Sequence, residues 1–462
     1  MMEQRKLKFN SALLPSGWAS DVTLTVGSRG MIEKVEAGSA DKTAKSLKGI
    51  AIPAVPNVHS HAHQRLMAGL AEVAGPGADS FWTWREVMYG FALKLGPEDL
   101  QAVAAQLYVE MLKSGSTVVG EFQYLHHQPD GTPYKEPAEL TLRCHAAAEE
   151  AGIAITLLPT LYAYGGFGGQ PPNNGQRRFI NDASRYLKIL ERLDKASKAN
   201  PLSNLGISPH SLRAVTRELL NDVIAGLDRM GRKTAPIHIH VAEQTKEVDD
   251  CLAWSRGTRP VQYLLDNFAI SSRWCGIHAT HMTADETQRM ARSGMIAGLC
   301  PTTEANLGDG IFPADSFLKE RGAIAIGSDS HVSVSPAEDL RVLEYSQRLR
   351  DRTRNALASG PGKSTGRTVL DAALQGGATS MAQPVGALAE GFRADIAVLD
   401  GEHPALVGRS GDAVLDSWIF SGGNACVSDV FVAGNHVVED RRHIKEEEIF
   451  KNFRAAVKRL TD

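Results

Sequence analysis

Ile52-Pro-Ala-Val-Pro-Asn-Val-His-Ser-His61 runs from an apolar, strand-like segment straight into two histidines. Residues i and i+2 of a strand share a face, so His59 and His61 can aim into one space. In a chain with 15 histidines, a bare His-x-His pattern carries a high false-positive risk. Further positions downstream change its weight. His240 closes the run 236–239 and is followed three residues later by Glu243. His278 closes 274–277, and Asp329 follows 324–326 across Gly327 and Ser328. Each imidazole or carboxylate falls where an apolar run ends. Barrel active sites are built at the C-terminal ends of the strands, so this order suits a metal-dependent hydrolase on a β/α barrel.

Working outward, apolar runs alternate with helical patterns from residue 52 to about 383. Eight runs read as strands: 52–58, 117–121, 153–159, 204–208, 236–239, 274–277, 296–299 and 324–326. Strand alternating with helix implies a parallel sheet, and eight repeats imply closure. The fold class is α/β, a distorted TIM (β/α)8 barrel over 53–387. On either side the β pattern changes. Segments 21–26 and 31–35 flank Gly27-Ser-Arg-Gly30, a hairpin signal. Segments 394–399, 429–433 and 435–438 alternate in the same way. The simplest assembly is a small β-sandwich domain built from residues 1–52 and 388–462. Ile449, Phe450, Phe453, Val457 and Leu460 then mark a terminal docking helix. Residues 163–176, AYGGFGGQPPNNGQ, show no periodicity and read as a candidate lid. Gly75–Gly77 with Phe81, Trp82 and Trp84 form a second candidate.

Composition narrows the function classes. The formal charge is −3, with 50 basic and 53 acidic residues. No basic excess points to nucleic acid or a membrane surface. The five cysteines include no Cys-x-x-Cys, which reads as reduced thiols in a cytoplasmic protein. No apolar run approaches the roughly 18 residues of a spanning helix.

Three imidazoles and a carboxylate, His59, His61, His240 and Asp329, make a nitrogen and oxygen donor set. It suits one Zn2+ per chain or another first-row divalent ion. Such an ion brings the pKa of water near 7. Glu243 and His278, with Asp329, are placed to move protons. His281 lies three residues beyond His278 and is the alternative, with His278 preferred because it directly follows the apolar run. His238 alternates to the opposite face from His240 and reads as packing. His63, His126, His127, His145 and His436 read the same way.

At these residues the chain resembles the amidohydrolase superfamily in its mononuclear deaminase branch, and several segments resemble its formimidoylglutamate deiminases. They are Pro56-Asn-Val-His-Ser-His-Ala-His-Gln-Arg65 with Met67-Ala-Gly-Leu-Ala-Glu72, Pro209-His-Ser-Leu-Arg-Ala214, His238-Ile-His-Val-Ala-Glu-Gln244, Cys300-Pro-Thr-Thr-Glu-Ala-Asn-Leu-Gly-Asp-Gly310 and Gly327-Ser-Asp-Ser-His-Val332. The resemblance implies zinc-dependent hydrolysis of N-formimino-L-glutamate to N-formyl-L-glutamate and ammonia in histidine breakdown, by a cytoplasmic homodimer. It implies zinc on His59, His61, His240 and Asp329, and proton transfer by Glu243, His278 and Asp329. Substrate contacts would come from Gln64, Arg85, Tyr124, His210 and Arg213. One departure is His63, where the family often carries an aromatic residue. The implied substrate has two carboxylates, and the planar forks of Arg85 and Arg213 suit them. A nucleobase or triazine deaminase is the nearest rival. A two-metal hydrolase would want a bridging carboxylate or modified lysine at the fourth strand, where Ser208-Pro-His210 stands. A scaffold without activity would not need the full set of ligands and proton carriers.

Overall fold

Buried runs bounded by helices become strands covered on both faces, the usual state of a parallel sheet. The computed structural model describes residues 4–75, 77, 79 and 81–461. Pro76 of the second candidate lid, and residues 1–3 and 462 of the two terminal segments, lie outside the described residues. The barrel strands are β1 (Asn57–Ser60), β2 (Val118–Gln123), β3 (Ala154–Leu161), β4 (Ser203–Leu205), β5 (Ile237–Val241), β6 (Trp274–His278), β7 (Ile296–Leu299) and β8 (Ile324–Ile326). Neighbours from β1 to β4 and from β5 to β8 pair in parallel. Two parallel bridges, Ile207 to Ile237 and Ser60 to Asp329, complete the ring. The barrel is irregular in two places. The β1–β2 register shifts between Asn57 and Ser60, and beyond β4 the short strand Ser208–Pro209 pairs with the end of β3.

The first expected strand, 52–58, is two strands. Lys45–Pro53 belongs to the small sheet, where Ile52 pairs with Ala397, and only Asn57–Ser60 belongs to the barrel. Proline has no N–H for a ladder, and Pro53 and Pro56 punctuate the change of partner.

Eight strands from the two ends of the chain form one continuous sheet. Its order is Arg442–His443, Asn435–Glu439, Val427–Val432, Ile396–Leu399, Lys45–Pro53, Arg5–Leu14, Gly17–Val26 and Ile32–Glu36. Arg5–Leu14 and the start of Lys45–Pro53 add to the hairpin expected from sequence. Phe9 and Phe431 lie on strands three places apart, about 14 Å in a flat sheet at ~4.8 Å per strand. Their ring centroids are 6.5 Å apart, so the sheet curls over a core that includes Val22, Leu24, Ile32 and Ile396. The terminal helix, Glu446–Thr461, buries Ile449, Ala456 and Leu460, and leaves Phe450 exposed. An ion pair from Lys113 to Glu446, 2.7 Å, ties it to the helix Pro97–Lys113.

Candidate active site

The expected ligands meet at the C-terminal mouth of the barrel. His59 lies within β1 and His240 within β5, and their Nε2 atoms are 3.1 Å apart. Asp329 places Oδ1 3.2 Å from His61 Nε2 and 3.5 Å from His59 Nε2. The far side of two rings is held by backbone. His61 Nδ1 lies 2.8 Å from the Phe122 carbonyl, and His240 Nδ1 lies 3.0 Å from the His210 carbonyl. A carbonyl accepts only, so each Nδ1 carries the proton and each Nε2 presents a lone pair to the centre. Burial, reinforced by the neighbouring imidazoles, holds the pKa values of His59 and His240 well below the histidine range. Imidazoles and a carboxylate crowded into one buried space are the donor chemistry of a borderline divalent ion, and these residues fit such a group.

Beside this set lie three acid–base groups. His278 Nε2 is 3.7 Å from Glu243 Oε1 and 3.8 Å from Asp329 Oδ2. Its Nδ1 is 3.2 Å from Glu304 Oε1, which also accepts the Cys300 N–H at 2.9 Å. Burial lowers the His278 pKa, but Glu243, the Glu304 hydrogen bond and Asp329 outweigh it and bring it up to about 10. Burial raises the Glu243 carboxyl above its ordinary range, against the pull of His278 and Arg213. The loop carrying Glu243 is pinned by Glu247, whose carboxylate accepts the N–H groups of Ala242 and Glu243, each at 3.1 Å. Ala242, His278 and Asp329 all sit at positive φ, 51°, 68° and 49°. Non-glycine residues held there cost of order 1–3 kcal/mol each, and such strain concentrates at functional sites.

The structure distinguishes His278 from His281. His281 packs near Gly310 and lies outside the cavity wall. His238 turns away and meets the Ser380 carbonyl at 2.9 Å. His126 and His127 likewise meet the carbonyls of Thr160 and Ile180, and His436 pairs with Asp429. His63 is buried behind His61 and Tyr124, with ring centroids 6.3 and 5.7 Å away, and does not reach the cavity.

A cavity lies over this floor; its space, counting the part open to solvent, is about 610 Å³. Gln64, Arg85, Tyr124, His210 and Arg213 all line it, together with Tyr162 and Phe179. The Arg85 guanidinium lies 4.5 Å above the Trp82 ring and 5.6 Å from that of Tyr89. Buried atoms without a hydrogen-bond partner among the described residues include Gln64 Oε1 and the Nε atoms of Arg85 and Arg213. These are polar atoms with hydrogen-bonding capacity to spare on residues that line the cavity.

Of the two expected lids, the second segment leads into the cover. Phe81, Trp84, Arg85, Met88 and Tyr89 line the cavity from one face of the helix Phe81–Ala92. Their spacing is the i, i+3, i+4, i+7, i+8 pattern of a helical stripe, a signal legible in sequence. Segment 163–176 contributes no wall residue. It is pinned instead by a Gly166–Gln170 bridge, the short helix Asn174–Gln176 and a Phe167–Trp254 stack at 5.4 Å. The sequence reading also passed over Glu304 and Tyr162. Glu304 stood inside a segment quoted for its resemblance, but it lies in the helix Pro301–Leu307 and its partner, His278, ends β6.

Comparison with known proteins agrees with this architecture. The amidohydrolase family profile matches residues 50–437, and the profile described as the formimidoylglutamate deiminase HutF N-terminal domain matches 10–49. A formimidoylglutamate deiminase of Pseudomonas aeruginosa is 53% identical over 451 residues, 98% of each chain. A 5-methylthioadenosine/S-adenosylhomocysteine deaminase of Natronomonas pharaonis is 27% identical over 88% of this chain and 85% of its own. Among solved structures, an amidohydrolase from Brucella melitensis superposes with a TM-score of 0.93 at 48% identity, covering 99% of this chain and 100% of that one. An adenosine deaminase from Xanthomonas campestris with bound zinc shares the fold at 19% identity, with a TM-score of 0.81 over 99% of this chain and 98% of its own. A closed barrel whose strand ends gather this donor set, matched by a family profile over most of its length, places the chain in the amidohydrolase family, in the branch that includes the formimidoylglutamate deiminases.

Proposed function

We propose that the protein hydrolyses N-formimino-L-glutamate to N-formyl-L-glutamate and ammonia, with one zinc ion per chain held by His59, His61, His240 and Asp329. The observation that carries this reading is the meeting, in one cavity, of that donor set with two guanidiniums, Arg85 and Arg213. The bound ion supplies the Lewis acidity that brings the pKa of water to about 7. Asp329 takes a proton of the attacking water, and His278, which Glu243, Glu304 and Asp329 keep protonated, orients that water from beside Asp329. Glu243 passes a proton to the nitrogen that departs as ammonia. Arg85 and Arg213 bind the two substrate carboxylates, and Gln64, Tyr124 and His210 supply neutral hydrogen bonds. The likeness to the Pseudomonas aeruginosa formimidoylglutamate deiminase supports the activity; a place in histidine breakdown, in the cytoplasm, as a homodimer, belongs to the same proposal. No helix of the described residues is long and apolar enough to cross a membrane.

The test is ammonia release from formiminoglutamate beside a metal-stripped control. Activity should vanish with the chelated metal and return with zinc, and elemental analysis should find about one ion per chain. Two tightly held ions, both needed for turnover, would refute the mononuclear reading. An aromatic-ring deaminase is the second reading, because Trp84, Tyr89 and Phe179 also line the cavity. Turnover of guanine or S-adenosylhomocysteine in preference to formiminoglutamate would establish it.

Glu304 gives a further expectation. Its carboxylate beside His278 Nδ1 fixes the ring orientation that turns Nε2 toward Glu243 and Asp329. Glu304→Gln keeps an acceptor for the Cys300 N–H, so the fold should stand. Loss of such a supporting partner typically costs roughly 10–100-fold. We expect that loss in kcat, with KM nearly unchanged; steady-state kinetics with unaltered kcat would remove Glu304 from any such role.

A further inference from the structure

Tyr162 lines the cavity beside the arginines, yet nothing in the reaction above uses it. Its ring is buried, with the His210 centroid 4.6 Å and the Phe179 centroid 5.7 Å away. Its hydroxyl oxygen accepts a hydrogen bond from Gln176 Nε2 at 2.7 Å. The direction of that bond is set by the other end of the same amide. Gln176 Oε1 accepts the backbone N–H of Asn173 at 2.8 Å, and a backbone N–H can only donate. The amide is therefore not free to turn over, and Gln176 is itself buried. With Gln176 donating into it, the Tyr162 oxygen has its own proton left to give. No acceptor for that proton lies within hydrogen-bond distance among the described residues. Burial pushes the Tyr162 pKa up and keeps the proton on, while the nearby charges of Arg213 and Arg85 pull the other way.

We propose that Tyr162 is a specificity residue that donates its hydroxyl proton to a substrate carboxylate, and that Gln176 is a positioning residue that restricts that hydroxyl to the donor role. This rests on the dicarboxylate substrate reading above and deepens it. A phenol that can only donate beside two guanidiniums discriminates for an anion and against a ligand group that would itself need an acceptor. A carboxylate satisfies the phenol and the arginines together. A neutral amide or ring nitrogen satisfies only part of the set.

The experiment uses the zinc-loaded full-length protein. Calorimetry measures binding of glutarate, with butyrate as the monocarboxylate probe, and steady-state kinetics measures formiminoglutamate turnover. Hydrogen bonds to charged groups are the stronger kind, so Tyr162→Phe should weaken glutarate binding by about 10–100-fold. KM for formiminoglutamate should rise in parallel, with the loss in kcat smaller than the rise in KM. Gln176→Glu supplies the decisive second variant. Its carboxylate still accepts the Asn173 N–H, but now also accepts the Tyr162 proton, turning the hydroxyl away from the ligand. Binding should weaken as far as in Tyr162→Phe although the hydroxyl is still present. Unchanged glutarate affinity and KM in Tyr162→Phe, with wild type turning over formiminoglutamate, overturns the donor role and leaves the proposed function standing. A wild type that binds glutarate no better than butyrate and does not turn over formiminoglutamate overturns both.

Discussion

Glu243→Gln is expected to keep its metal and to lose turnover by roughly 10²–10⁴-fold, the usual worth of a positioned acid or base. The replacement preserves shape and hydrogen-bonding length but cannot carry and release the proton. The loop around it should survive, because the Ala242 and Glu243 N–H groups that bind Glu247 belong to the backbone. The carboxyl is buried at the cavity floor, 3.7 Å from His278 Nε2, and burial favours its protonated form. In the proposed reaction, that suits a group handing a proton to the departing nitrogen. Elemental analysis and single-turnover kinetics on the same preparation separate the outcomes. Metal lost along with activity would make Glu243 a ligand. Metal kept with unchanged turnover would remove it from the chemistry.

Arg213→Met should cut kcat/KM for formiminoglutamate by a hundredfold or more. Arg213 follows the short strand Ser208–Pro209 and projects into the cavity with Nε unpartnered. Backbone bonds hold this turn in place: the Ala214 carbonyl accepts the N–H groups of Ala163 and Tyr164, and the His210 carbonyl accepts the His240 N–H. Removing the side chain should therefore leave fold and metal content intact. Leaving one member of a buried charge pair without its partner costs on the order of 3–5 kcal/mol. Each ~1.4 kcal/mol is a factor of ten. Arg213→Lys should recover only part of the loss, because an ammonium does not reproduce the planar fork. Formiminoglycine, which lacks the side-chain carboxylate, is the matching substrate. Equal kcat/KM for it and formiminoglutamate in wild type, or no effect of Arg213→Met, would put the aromatic-ring deaminase reading ahead.

Much of this architecture was legible before any coordinates. The alternation of buried runs with helical stripes is a local property, and parallel strands covered on both faces read as near-continuous apolar segments. His59, His61, His240, His278 and Asp329 were legible for the same reason, since each sits at or just beyond the end of such a run. The face of the helix Phe81–Ala92 that covers the cavity was written in its spacing too, although only Phe81, Trp84 and Arg85 of it drew notice, and Met88 and Tyr89 did not. What tertiary structure alone decided depends on partners remote in sequence. Ile396–Leu399 beside Lys45–Pro53 joins the two ends of the chain in one sheet and draws Ile52 away from the barrel. Glu304 matters because it meets His278 across 26 residues, and Tyr162 because Gln176, 14 residues on, orients its hydroxyl. His278 lines the cavity and His281 does not, and between them the backbone leaves its strand at positive φ, at His278 and again at Ala279. Apolar periodicity records which residues are buried; it carries no information about which hydrogen-bonding partner a buried polar group will find once distant segments close around it.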